Sequence, residues 1–150
     1  MALASGQSVL LDFVLLLNRL SLGLFFLLAG ANKILAGVAT FYRGTFTPMR
    51  PPWLPEGFAY SYGHALPFVE VALGAALVVG FFGRVTAFLT ALALVSYIVA
   101  IIQAGKFVSG APGPFHPDVV FLTLALLLTI LGSGSFSVDA WLGRRRTRPG

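Results

Sequence analysis

Four stretches of this chain are apolar for about the length of a membrane crossing, which needs ~20 mainly apolar residues. They run 10–35, 62–82, 85–104 and 117–136. Backbone polar groups in hydrocarbon must be satisfied within the segment, so spans with this composition and length become helices. The expected fold is all-α: one integral membrane four-helix bundle in a single transmembrane domain. Pro67 is expected to break the second stretch. The fourth is short unless Gly132–Phe136 extends it. Pro117 suits a first helical position, and Asp118 beside it favours the positive end of the helix dipole.

Composition supports this solvent. The chain is 57% hydrophobic and 10% charged, against about 25% charged in soluble domains. Most of its surface therefore faces lipid, and the bilayer is its first partner. Cysteine is absent. That excludes disulfides, thiolate catalysis, Cys-ligated clusters and covalent c-type haem. Only His64 and His116 could supply imidazole, and nothing spaces them as a metal or haem site. The net charge of +5 does not indicate nucleic acid, because the basic residues are not interleaved with aromatics on a soluble face.

The connections differ in length. Gly80–Arg84 is a tight turn, so the second and third helices are expected to be antiparallel neighbours. Gly105–His116 is a medium loop. The outer loop 37–61 carries Pro48, Pro51, Pro52 and Pro55 with six aromatics, and it is expected to fold onto the membrane surface. The N-terminus shows neither a basic region nor a small-residue cleavage site, so the first segment is expected to stay as a spanning helix. An even helix count puts both termini on one side. Arg84 and the basic tail 143–150, with Arg144, Arg145 and Arg146, mark that side as cytoplasmic by the positive-inside rule.

Ionisable residues inside such spans are the functional clue, since each costs about 2.5–3.5 kcal/mol at a helix centre on insertion scales. Arg19, Gly23, Phe26, Gly30 and Lys33 share one face of the first helix at spacings of three and four. Gly63, Pro67, Glu70 and Gly74 make a similar stripe on the second. Small residues allow close helix approach in lipid, so both stripes are expected to face inward, with Ser96 and Gln103 able to join from the third helix. If helix one starts near Leu10 and helix two near Tyr60, Arg19 and Glu70 lie about 13 and 15 Å deep from opposite surfaces. Arg19 and Glu70 are therefore expected to pair, either as a packing clamp or as a working site. Asn32 and Lys33 fall near the outer end, with His64, Lys106, His116 and Asp118. The candidate polar site is Arg19, Asn32, Lys33, His64 and Glu70. Gly23, Gly30, Gly74, Arg84 and Asp139 read as structural or topological.

The same residues carry a resemblance. Arg19-Leu20-Ser21-Leu22-Gly23 followed by Gly30-Ala31-Asn32-Lys33-Ile34 resembles the first-helix signature of the DoxX/DoxD family. Pro67-Phe68-Val69-Glu70, Gly74 and Gly80-Phe81-Phe82-Gly83-Arg84 resemble its second helix and turn. Gly132-Ser133-Gly134-Ser135-Phe136-Ser137-Val138-Asp139 is similar to its ending. The likeness spans about Asn18 to Leu142. It implies a small four-helix protein of the bacterial inner membrane, whose relatives include subunits of a thiosulfate:quinone oxidoreductase and of oxidoreductase complexes linked to oxidative stress.

The leading expectation is therefore a membrane subunit of a redox complex, with other membrane subunits as partners. No motif fixes a cofactor; quinone is the candidate, held between helices. Arg19, Asn32, Lys33 and His64 would donate hydrogen bonds, Glu70 would move a proton, and Phe25, Phe26 and Phe68 would line the pocket. No self-contained catalytic motif is present. The alternatives are an assembly or scaffolding component and a small-solute permease.

Overall fold

A computed structural model describes residues 5–107 and 116–146. Every regular element among the described residues is helical: α1 (Ser5–Leu35), α2 (Val38–Phe41), a π-helical turn (Tyr42–Phe46), α3 (Thr47–Met49), α4 (Glu56–Val79), α5 (Gly83–Gln103), α6 (Asp118–Leu131) and α7 (Val138–Arg146). Three of them, α1, α4 and α5, are long and apolar enough to cross a membrane. Leu22, Phe26, Leu77, Leu94 and Leu128 belong to one buried core shared by α1, α4, α5 and α6. Many other large apolar side chains point outward, among them Phe13, Phe88 and Ile130. That outward apolar surface suits lipid as the surrounding solvent.

α1 packs mainly on α4, and α5 mainly on α6. The α1–α4 seam is built on glycine. A Cβ at Gly74 would collide with the Leu27 backbone nitrogen, and one at Gly30 would lie 2.6 Å from the Pro67 carbonyl oxygen. Gly23 likewise sits against Gly74 and Val78. The helices thus meet backbone to backbone, where dispersion and not water supplies the attraction. Gly74→Val is expected to cost at least about 1–3 kcal/mol, the usual penalty of overpacking, because the obstacle is main chain that cannot rotate away. Thermal unfolding of the detergent-solubilised protein would read this. An unchanged melting temperature would mean the seam is looser than the contacts require.

Two expectations about helix ends are corrected. α4 is not broken at Pro67; it runs unbroken from Glu56 to Val79, with Pro67 buried inside it. The proline ring crowds the carbonyl four residues back. That residue is Gly63, which is itself buried and brings no side chain to the crowded turn. α6 is not extended by Gly132–Phe136. It stops at Leu131 after 14 residues, because Gly132 (φ 86°) and Gly134 (φ 70°) take left-handed conformations that end the helix.

The α4–α5 turn is tightly specified. Gly80 adopts φ 74°, its N–H donates to Leu77 O at 3.1 Å, and Phe81 N donates to Ala76 O at 2.9 Å. This is a Schellman ending. Asp139 of α7 then accepts from Phe82 N at 2.9 Å and Gly83 N at 2.8 Å, satisfying orphan donors at the start of α5. Asp139 therefore pins the C-terminal segment to this turn. Arg84 is exposed and lies against Gly132. The side chains of Arg144, Arg145 and Arg146 and the tail beyond them lie outside the described residues, as does the loop 108–115. The segment 37–61 is largely regular structure. Its π-turn is tied by Thr47 Oγ1 donating to Tyr42 O at 2.8 Å, and its last residues belong to α4.

Candidate functional site: a partly covered apolar cavity with a charged corner

The covering segment 38–54, made of α2, the π-turn, α3 and the turn after it, lies over part of α4 and α5 and partly covers a cavity of about 830 Å³, open where Val69, Leu89 and Leu92 are exposed. Its walls are overwhelmingly apolar. Phe41, Phe46 and Trp53 come from the covering segment, Leu66 and Leu73 from α4, and Leu92 from α5. Polar groups reach it in few places: Lys33 from α1, Thr45 and Arg50 from the covering segment, Tyr62 from α4, Ser96 and Tyr97 from α5, and Asp118 from α6. A few fixed polar groups in an apolar, concave site are the usual signature of a small-molecule pocket.

Lys33 and Tyr97 tie this wall to a buried carboxylate. Lys33 Nζ forms an ion pair with Glu70 Oε1, and Tyr97 OH donates to the same oxygen at 2.7 Å. Glu70 is 2% exposed, and its other oxygen, Oε2, has no partner among the described residues. Lys33 sits in the last turn of α1, where the helix dipole favours a cation, and keeps 27% of its side-chain surface exposed. Its ammonium also lies 5.0 Å from the Phe41 ring centre and 5.7 Å from that of Tyr97, within cation–π range. Asp118, 7% exposed, faces His116 Nδ1 at 3.4 Å and lies within electrostatic reach of Lys33 and Glu70. On the cavity wall, Tyr62 OH and Ser96 Oγ are 2.6 Å apart, and Ser96 donates to Ala93 O at 2.7 Å.

The expected Arg19–Glu70 pair does not form. Gly30 lies opposite Pro67 and Glu70, whereas Arg19 lies opposite Gly80. The two charges are thus about 16 Å apart along α1, eleven residues at 1.5 Å each. Glu70 takes Lys33, one turn beyond Gly30. Arg19, 3% exposed, donates instead to two backbone carbonyls: Nη1 to Ser133 O at 3.1 Å and Nη2 to Phe136 O at 2.7 Å. Its Nε is buried without a partner. No carboxylate lies within ion-pair distance of it among the described residues.

The other candidates separate too. Asn32 is exposed and Gln103 also points outward. His64 stands apart from the cavity, its ring 4.5 Å from Tyr42 and 4.2 Å from Tyr60, with Nδ1 on the Tyr60 carbonyl at 2.9 Å. Phe25, Phe26 and Phe68 do not line the cavity: Phe25 stacks on Phe121, Phe26 is core, and Phe68 is exposed. The aromatic lining comes from the covering segment and from two tyrosines, Tyr62 and Tyr97, that sequence reasoning missed. Tyr97 adjoins Ser96 on α5, and a phenol beside that serine in a spanning stretch was the available signal.

A family model described as DoxX matches residues 14–103, which carry Lys33, Glu70, Tyr97 and the covering segment. No curated protein and no solved structure matches the chain.

Proposed function

The chain belongs to the DoxX family, and on that premise we propose that it is a multi-pass subunit of a redox complex in the bacterial inner membrane, holding a lipid-soluble quinone or its quinol in the partly covered cavity. The observation that carries this reading is the cavity itself: an apolar space of about 830 Å³ with one charged, hydrogen-bonding corner. A ring with an apolar tail and polar oxygens at opposite edges complements such a site. Lys33 would orient the oxygens, and the Glu70 carboxylate behind it would hold or release a proton.

In this arrangement α1, α4, α5 and the shorter α6 cross the membrane as a four-helix bundle. Both termini, Arg84 and the arginine tail stand on the cytoplasmic side. The cavity and its covering segment then lie toward the outer face.

Trp53 lines the cavity, and the chain has one other tryptophan, Trp141. Menadione added to the Trp141→Phe protein in nanodiscs is expected to quench Trp53 emission saturably, and unlabelled long-chain ubiquinone should compete. Quenching that rises linearly, without saturation or competition, would reject quinone binding. Mass spectrometry of the gently solubilised native complex would test the partner subunits at the same time.

A further inference from the structure

Every hydroxyl hydrogen in the cavity's inner wall is already committed to the protein. Ser96 gives its hydrogen to Ala93 O, so in the Tyr62–Ser96 contact Tyr62 must be the donor. Tyr97 gives its hydrogen to Glu70 Oε1. A hydroxyl carries one hydrogen and two lone pairs. Tyr62, Ser96 and Tyr97 can therefore offer a ligand only acceptance. The two carboxyl oxygens of Asp118 add further lone pairs at the cavity. On this wall Lys33 alone keeps spare donors, since one of its three hydrogens goes to Glu70. The remaining side-chain donors at the cavity, on Thr45, Arg50 and Trp53, belong to the covering segment and not to this wall.

From this imbalance we infer that the cavity selects ligands bearing O–H donors, so that, within the quinone reading on which the inference rests, it holds the quinol in preference to the quinone. A quinol oxygen can accept from Lys33 and still donate to a neighbouring lone pair. A quinone carbonyl can only accept. Seated in the same corner, it sets its lone pairs against those of Asp118 and the tyrosines, and leaves these acceptors unmet. A buried polar group left without its partner is the costly side of a hydrogen bond, and this asymmetry lets a polar site reject an analogue lacking one hydroxyl.

The test is anaerobic equilibrium dialysis of the full-length protein in nanodiscs against menadiol, menadione and the dimethyl ether of menadiol. Menadiol is expected to bind about tenfold more tightly than either of the others, the factor for one good hydrogen bond. Asp118→Asn supplies N–H donors in place of a carboxyl oxygen and should narrow or reverse that ratio. Tyr62→Phe, which removes a lone-pair site and a wall bond without touching charge, should weaken menadiol while leaving menadione nearly unchanged. Menadione bound as tightly as menadiol, or a ratio indifferent to both substitutions, overturns the selectivity while leaving quinone binding in place. Retention of none of the three overturns the quinone reading itself.

Discussion

Lys33→Met is expected to be among the most damaging single changes in this protein, lowering stability by about 3–5 kcal/mol, the range for removing one partner of a buried ion pair. The substitution keeps the length and apolar stem of lysine but leaves Glu70, 2% exposed, without its cation. Tyr97 would still donate to Oε1, which blunts the loss without cancelling a charge. The reciprocal change is gentler. Glu70→Gln leaves Lys33 uncompensated, yet this side chain is 27% exposed at the end of α1 and can extend its ammonium toward the headgroups. A physical pair also demands non-additivity. Lys33→Met combined with Glu70→Leu removes both charges, and replacing a buried pair by apolar groups is often neutral or better. The double variant should therefore be more stable than Lys33→Met alone. Chemical unfolding of the unsubstituted protein, Lys33→Met, Glu70→Leu and the double variant in one detergent completes the cycle. Strict additivity of the two single losses would show that the contact contributes nothing as a pair.

The route from sequence to this pair shows where reading the chain succeeds. The apolar runs 10–35, 62–82 and 85–104 each contain or overlap one of the long helices, because span-length hydropathy is a direct physical demand of the bilayer. The inward stripe of α1 was equally legible: Arg19, Gly23, Phe26 and Gly30 are all buried. Register was not. A depth counted from the surface requires each helix to start at that surface. α1 begins by Ser5 and α4 at Glu56, so Leu10 and Tyr60 are not those starting points. Glycine sets the register, because backbones can approach only where both helices lack side chains. Gly23 against Gly74 already places Glu70 level with the second half of α1, far from Arg19. That signal lay in the sequence, but it needed the rule that small residues meet across the seam. The cavity was hidden for a different reason. Its cover is a π-turn between two very short helices, and neither periodicity nor hydropathy marks a π-turn.

Arg19→Leu is expected to loosen the opposite end of the molecule, at a cost of about 3–6 kcal/mol, taking roughly 1.5–3 kcal/mol for each hydrogen bond to a charged group. Its guanidinium bonds Ser133 O and Phe136 O, the carbonyls of the turn that carries the chain from α6 into α7. The fork geometry suits two acceptors at once, so Arg19→Lys should rescue only part of the loss, reaching one carbonyl as a point charge. The effect should also be local. α7 is pinned through Asp139, which holds the Phe82 and Gly83 amides, and Asp12 holds Ser135 N at 3.0 Å. Once the turn is released, those contacts lose their anchor. Hydrogen exchange should accelerate at Phe82, Gly83 and Ser135, while amides of α4 beside Glu70 keep their protection. Lys33, the α1 residue at the cavity, lies about 21 Å from Arg19 along the helix, the rise over fourteen residues, so saturable quenching of Trp53 by menadione should survive in Arg19→Leu. Exchange that rises uniformly through α1 and α4 would instead make Arg19 a member of the main helix seam, and the distinction between a clasp at one end and a ligand site at the other would fall.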